Sequence, residues 1–418
     1  MKRLFGRTPA EYAASCSRAL DCILDEKSEE EKVKKAYSKL ERLLKEMAVM
    51  LYGDGEKPVD TNKVNRLIRE LRSSDLMARL VMKVERLGFE IPKSISKILS
   101  FWLHDKGLYN DAIAYFDRHR GLVGHLVSHF EREEVSLPCA EIVKEALVHP
   151  KLLKSALEED KGNIVFKVLE YVGVKDIAFA SEAYGMLDTI INCRLSRDQN
   201  ISADMQKEHL KLVATWLDAN YEEFWKKIHT FMEPTGSHLM MEQMLKLVYQ
   251  VLKTHRNYYI MMRYINDPEN LTRVMRLLRV QNKKIQVMAF NVFKIFVANP
   301  EKSEKIIEIL LPNVEKIMKF FQALGADDEL DGKFEDDLEV LNEQLKELKI
   351  IAEQKTTTTS TSTNANASAN QGQATQEENK TSAPAAATAA AAAAAPQQQQ
   401  ISEKKSTSEP KPDSNETE

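Results

Sequence analysis

Hydrophobic residues in the first 355 positions recur at spacings of three and four, the spacing of residues on one face of an α-helix. In the segment after the acidic residues 29–31, for example, Val33, Tyr37 and Leu40 share one face. Segments that alternate between apolar and polar residues, as half-buried strands do, are few. The pattern therefore predicts an all-α fold for this part of the chain.

Start and stop signals predict several helix boundaries. Thr8-Pro9-Ala10-Glu11 combines an N-cap residue, a proline at the first helical position and an acidic residue in the first turn. Ser28-Glu29-Glu30-Glu31 has the form of a capping box, and Gly53 predicts the end of the helix that follows. A further helix is expected from Leu76 to Leu87, because Gly88 follows that apolar segment.

An internal repeat is visible in the second half of the chain. Asp267-Pro268-Glu269 and Asn299-Pro300-Glu301 are the same helix-start signal, 32 residues apart, and His149-Pro150 is a weaker form of it. Between the two strong signals, the segment Ile285–Val297 is apolar on most sides, as a helix buried between neighbours is. Stacked helical repeats explain both observations, although armadillo and HEAT repeats are longer, at about 40–47 residues.

The composition changes sharply at Thr356. Residues 356–418 contain Ile401 as their one large apolar residue and are rich in Thr, Ser, Ala and Gln, so we expect them to be disordered. The sequence therefore predicts a helical-repeat domain over 1–355 and a low-complexity tail over 356–418. The tail has four basic and seven acidic residues, which leaves the body of this −4 chain almost neutral. A neutral body argues against binding nucleic acid, including the RNA-reading type of helical repeat.

Cysteine usage and the absence of targeting signals predict a cytoplasmic protein. The four cysteines, Cys16, Cys22, Cys139 and Cys193, form no C-x-x-C pair, so we expect buried thiols rather than a disulfide scaffold or a zinc ribbon. No apolar run is long enough for a transmembrane helix, and the first residues lack the apolar core of a signal peptide.

Catalytic and cofactor motifs are lacking in the sequence, so we predict a protein that is not an enzyme and that uses no cofactor. Neither glycine-rich phosphate-binding pattern occurs. His125-x-x-x-His129 lacks the Glu that follows the first histidine in the zinc-protease pattern, so no metal site is predicted. We interpret both residues as histidines at the surface or at its boundary with the core. The segment Asp327–Gly332 resembles the start of an EF-hand, but Leu338 stands where the bidentate Glu belongs, which favours a solvated acidic linker.

Two adjoining segments, Arg256–Arg279 and Asn282–Pro300, closely resemble the calcium-binding protein 39 family. The Pro-Glu-Asn-Leu start at Pro268 and the Phe-Lys-Ile-Phe-Val-Ala-Asn-Pro ending are specific to it. Leu51-Tyr52-Gly53 and Gly88-Phe89-Glu90 look like the corresponding turns of the family. The resemblance covers residues 5–353.

This resemblance implies a right-handed solenoid of armadillo-like helical repeats and a scaffold function without catalysis. Members of the family bind and activate Ste20-type kinases, and an LKB-type kinase through its pseudokinase partner. They contact kinase domains with a concave face and hold a Trp-Glu-Phe-like C-terminal peptide of the pseudokinase in an apolar pocket. That function uses no calcium, in agreement with the interrupted EF-hand pattern.

The resemblance also implies which residues bind partners in this chain. They are Lys246 on the kinase-facing surface and Arg256, Tyr258 and Met275 at the peptide pocket. Methionine and aromatic side chains suit an adaptable apolar slot for Trp and Phe anchors, although the same residues could serve only as repeat core.

Several basic positions of the family are replaced in this chain. His255 and Pro312 stand in place of basic pocket residues, and Glu242 and Thr272 in place of basic residues on the concave face. A lost cation removes a charge-assisted hydrogen bond to the peptide. The alternative function is therefore a structural adaptor of cytoskeletal or polarity complexes that does not activate a kinase.

Overall fold

The computed structural model describes residues 7–53, 59–159, 163–194, 201–233, 236–325 and 332–365 of the 418. They belong to two compact units. The first reaches Phe296 and includes Lys302–Asn313; the second comprises Val297–Glu301 and the described residues from Val314 onward.

The described residues form twenty α-helices joined by turns and short 3₁₀ segments, with no strand among them, which confirms the predicted all-α class. No helix in these ranges is long and apolar enough to cross a membrane. The helices are α1 (Pro9–Leu24), α2 (Glu30–Tyr52), α3 (Thr61–Ser73), α4 (Leu76–Val81), α5 (Glu90–His104), α6 (Tyr109–Arg118), α7 (Leu122–Ser128), α8 (Ser136–Leu147), α9 (Pro150–Glu158), α10 (Asn163–Val172), α11 (Ile177–Asn192), α12 (Ala203–Ala219), α13 (Tyr221–Phe231), α14 (His238–Lys253), α15 (Tyr258–Ile265), α16 (Pro268–Leu277), α17 (Lys283–Ala298), α18 (Glu304–Leu310), α19 (Val314–Gly325) and α20 (Gly332–Ala365).

The helix start at Thr8 is confirmed, and it is a full capping box. Thr8 Oγ1 accepts a hydrogen bond from the Glu11 amide at 3.3 Å, and Glu11 Oε2 accepts one from the Thr8 amide at 2.9 Å. The capping box predicted at Ser28 is wrong, because the Ser28 hydroxyl donates to Asp25 at 3.0 Å and the helix begins after an uncapped Glu29.

Of the two helix ends predicted at a glycine, the one at Gly53 is confirmed. Gly53 caps α2 with φ +82°, a left-handed conformation that glycine adopts without strain. The helix expected from Leu76 to Leu87 is wrong in its length, since α4 ends at Val81 and a 3₁₀ turn covers Val84–Arg86 before Gly88.

The two strong cap-proline signals have different outcomes. Asp267 caps α16 by accepting a hydrogen bond from the Glu269 amide at 2.9 Å, as predicted. Asn299 forms a local turn instead, because its side chain bonds the amide and the carbonyl of Glu301. The next helix, α18, begins only after Ser303, so the second signal is not a helix start.

The helices of the first unit repeat in threes. Successive contacts join α1, α4, α7 and α10 in one row, α2, α5, α8, α11 and α14 in a second, and α6, α9, α12 and α15 in a third. This arrangement confirms a solenoid of helical repeats. Helices α2, α5, α8, α11 and α14 begin at residues 30, 90, 136, 177 and 238, so successive helices of this row start 41–61 residues apart. The two central intervals, 46 and 41 residues, are those of armadillo-type repeats, and the 32-residue period is wrong.

Burial follows the predicted pattern along α17. Ile285, Phe290, Phe293 and Phe296 are all at most 1% exposed, which confirms a helix surrounded on most sides.

The four cysteines are free; three are buried, and Cys22 is half-buried. Burial raises the pKa of the Cys16, Cys139 and Cys193 thiols to about 12, so they are unreactive thiols.

In the second unit, α19 packs on α20. Phe321 of α19 and Phe334, Leu341 and Leu345 of α20 are buried, and Lys349 pairs with Glu315 at 2.9 Å. Helix α20 continues past Thr356 to Ala365, and the rest of the predicted tail, 366–418, lies outside the described residues.

Candidate functional site

A groove runs across the second row of helices in the first unit and has a volume of about 890 Å³. One face of α2, α5 and α8 forms most of it, because lining residues recur there at helical spacing, as in Lys93, Lys97 and Ser100. Helix α11 contributes Glu182. Since row helices stack side by side, the repeat itself creates this surface.

Large apolar side chains lie exposed in the groove. They are Val49 and Tyr52 on α2, Phe89 before α5, and Leu137 on α8, and all are more than half exposed. The Tyr52 hydroxyl donates to the Lys97 carbonyl at 3.0 Å, which fixes its ring between two row helices. Contiguous exposed apolar side chains with a charged surround are typical of protein-binding surfaces.

Charged side chains surround these apolar groups. Lys93 Nζ lies 2.9 Å from Glu90 and 3.5 Å from the centre of the Phe89 ring, and Lys45 bridges to Glu90 at 3.2 Å. The hydrogen bonds from Lys93 and Lys45 lower the pKa of Glu90. Four lysines and six glutamates line the groove, so its charge is mildly acidic.

Lys246 lies exposed on α14, the helix that follows α11 in the same row. Other polar residues share its helix at spacings of three and four, with Lys253 exposed and Gln243 and Gln250 half-buried. Lys246, which the family resemblance predicts to face a kinase, therefore belongs to the same row of helices as the groove. It lies about two repeats farther along the chain.

The three predicted pocket residues occupy the segment after α14. Arg256 is exposed in a 3₁₀ turn, and Tyr258 and Met275 are half-buried. Tyr258 begins α15 and Met275 is close to the end of α16, and these two helices contact each other across a two-residue connection. Their role as a peptide pocket stays a prediction.

Sequence reasoning did not identify Tyr259 or the groove. Tyr259 is 82% exposed and stacks edge-on against Tyr258 with ring centres 5.7 Å apart, which makes it the most exposed aromatic side chain among the described residues. Tyr52 and Phe89 were noted only as parts of family-like turns. In the sequence, each of these two aromatic residues stands next to a glycine at a helix boundary, and this pattern could have identified them as exposed aromatic residues.

One group of potential metal ligands occurs among the described residues. Glu85, His125 and His129 each direct one ligand atom into a space where these atoms lie within 4.8 Å of one another. The acidic segment 327–331, where the EF-hand resemblance began, lies outside the described residues.

Comparison with known proteins agrees with the expected family. The Mo25-like family model matches residues 2–349. Human "Calcium-binding protein 39-like" is 29% identical over 322 residues, covering 77% of this chain and 90% of that protein. A Schizosaccharomyces pombe "Mo25-like protein" is 30% identical over 317 residues, with 75% and 90% covered. "Conidiophore development protein hymA" of Emericella nidulans is 26% identical over 358 residues, with 83% and 93% covered. This chain of stacked helical repeats therefore belongs to the Mo25-like family of scaffold-type proteins.

Proposed function

We propose that this protein is a non-catalytic scaffold that binds a Ste20-type protein kinase or pseudokinase and stabilises its active conformation. The groove on α2, α5 and α8 is the observation that carries the proposal, together with membership of the Mo25-like family. The concave face would hold the kinase domain, and the pocket at Tyr258 and Met275 would hold a Trp-Glu-Phe-like C-terminal peptide. The protein acts in the cytoplasm.

The chemistry of the groove supports a protein partner. Exposed aromatic and aliphatic side chains supply the anchors that usually dominate binding energy at protein interfaces. Glu133 and Glu134 lie beside Leu137, so the complementary surface would combine apolar side chains with Lys or Arg. Kinase activation then follows if the scaffold binds the active kinase conformation more tightly than the inactive one.

The name of the Emericella nidulans relative connects that protein with conidiophore development. We extend this to kinase signalling in cell polarity or morphogenesis for the present chain. A kinase partner and a purely structural partner would make different use of the same groove, and activity measurements distinguish them.

Removal of two groove anchors is expected to weaken binding of a Ste20-type kinase domain by about 30-fold or more. The variant is Phe89→Ala with Leu137→Ala, and the affinity is measured by isothermal titration calorimetry. A matched control is Val174→Ala with Ile177→Ala, which removes two exposed apolar side chains outside the groove lining. The control is expected to change affinity by no more than about twofold.

A kinase assay with and without the scaffold tests the activation part. Stimulation by the wild-type chain that is lost in the groove variant and kept in the control supports the proposal. Binding without stimulation would favour the structural-adaptor alternative. Equal affinities of the groove variant and the wild type would contradict the assignment of the groove.

The C-terminal pocket has its own test. Met275→Ala and Tyr258→Ala are each expected to weaken binding of a fluorescent Trp-Glu-Phe-ending peptide by about tenfold, because each removes apolar surface from the proposed slot. Fluorescence anisotropy measures the affinity, and Met261→Ala, at a half-buried methionine of α15, is the control. Unchanged affinity in both pocket variants would rule out the pocket.

A further inference from the structure

Glu85, His125 and His129 are brought together by the stacking of consecutive repeats. Glu85 lies in the 3₁₀ turn that follows α4, His125 lies on α7, and His129 is the C-cap residue of α7. Helices α4 and α7 are neighbours in the first row. A carboxylate from one repeat therefore meets an i, i+4 histidine pair from the next.

The distances among the three side chains suit coordination better than hydrogen bonding. Glu85 Oε2 lies 3.6 Å from His125 Nε2 and 3.8 Å from His129 Nε2, both beyond a normal hydrogen bond. Two ligands bound at about 2.0–2.1 Å to a tetrahedral ion are separated by about 3.3 Å. A small adjustment of side chains would therefore place all three atoms around one ion.

The orientation of His129 is already that of a metal ligand. Its Nδ1 lies 3.0 Å from the His125 carbonyl oxygen, so Nδ1 carries the proton and donates it, which leaves the Nε2 lone pair free to face Glu85. Metal-binding histidines usually donate their second ring nitrogen in this way, because the bond fixes tautomer and ring direction.

Two atoms of the cluster lack hydrogen-bond partners. Glu85 Oε2 and His125 Nε2 are buried atoms without one, although most buried polar atoms in proteins have at least one. An ion at the centre would satisfy the carboxylate and the imidazole together.

We propose that Glu85, His125 and His129 bind a divalent transition-metal ion, best represented by Zn²⁺. Two imidazole nitrogens and one carboxylate oxygen suit zinc, whereas Ca²⁺ and Mg²⁺ prefer oxygen ligands alone. The fourth position would be taken by water. None of the three residues lines the groove, so the ion would act by joining two consecutive repeats, independently of the proposed kinase binding.

Isothermal titration of the full-length chain with ZnCl₂ tests the site. We expect binding of one Zn²⁺ with a rise in the thermal denaturation midpoint, and no response to CaCl₂. His125→Gln and Glu85→Gln are each expected to weaken Zn²⁺ binding by about tenfold or more. His238→Gln is the control, because His238 is exposed on α14 and belongs to no such cluster.

Far-UV circular dichroism verifies that each variant keeps its helical content, and His129→Gln serves in place of any variant that does not fold. Equal Zn²⁺ affinity in wild type and both cluster variants would overturn the proposal, as would a wild-type chain that binds no Zn²⁺. Co²⁺ gives an independent readout, since its visible absorption should appear with the wild type and the His238→Gln control and be lost in His125→Gln.

Discussion

Replacement of Trp102 by alanine is expected to lower the free energy of unfolding of the first unit by about 3–5 kcal/mol. Trp102 is fully buried on α5, with its ring centre 4.9 Å from that of Tyr115 on α6. Tyr115 in turn accepts a hydrogen bond from the Ala78 amide of α4 at 2.8 Å. The cavity left by the indole would therefore open where three helices of one repeat meet.

Urea denaturation followed by circular dichroism measures this loss. Phe89→Ala is a suitable control, because it also removes an aromatic ring but from an exposed position, where the cost is usually within about 0.5 kcal/mol. Because α5 lies between α2 and α8, the Trp102 variant should also lose part of the groove. A loss below about 1 kcal/mol would contradict the central packing role of Trp102.

The second large effect is a loss of stability in acid that arises from His149. This residue is buried before α9, and burial, together with His104 and His209, lowers its pKa to about 4 from the ordinary 6.5. Because the unfolded chain binds the proton more readily, the stability is complete above pH 6.5 and is lost as the pH falls from 6.5 toward 4. The lowering of the pKa from 6.5 to about 4 corresponds to a loss of about 3 kcal/mol in the free energy of unfolding.

His149→Leu is expected to remove this part of the pH dependence. Neither ring nitrogen of His149 has a hydrogen-bond partner in the structure, so an apolar residue should be tolerated at pH 7. Denaturant unfolding at pH 7 and at pH values between 6.5 and 4 measures the slope. His229, whose pKa burial lowers to about 3, should keep part of the slope in this variant.

The exposed His238 provides the comparison for that experiment. His238→Leu should leave the pH dependence as it is in the wild type, because His238 is exposed to solvent and is not among the groups that lower the pKa of His149. A His149→Leu variant whose stability falls in acid as steeply as that of the wild type would show that His149 is not the source.

Local features could be predicted well from the sequence. The helix start at Thr8, the helix end at Gly53 and the buried helix α17 depend on residues within a few positions of one another, through capping bonds, a left-handed glycine and helical periodicity. Family-specific motifs around Pro268 identified the family, which the match over residues 2–349 confirms.

Prediction was weaker where a side chain has more than one possible hydrogen-bond partner. Ser28 and Asn299 both carry side chains suited to capping a helix. The Ser28 hydroxyl instead donates to Asp25, and the Asn299 side-chain amide closes a turn at Glu301. The sequence offers both arrangements, and the surrounding packing selects one. The wrong 32-residue period followed from counting Asn299 as a helix start.

By itself, the sequence determined the helical class, the boundary in composition at Thr356 and the family, because each depends on short-range patterns or on motifs. Only the tertiary structure decided the three-helix period, the groove that includes Tyr52 and Leu137, and the meeting of Glu85 with the His125–His129 pair. The physical reason is that helix stacking joins residues some 40 positions apart, and such contacts leave no periodic trace in either segment alone.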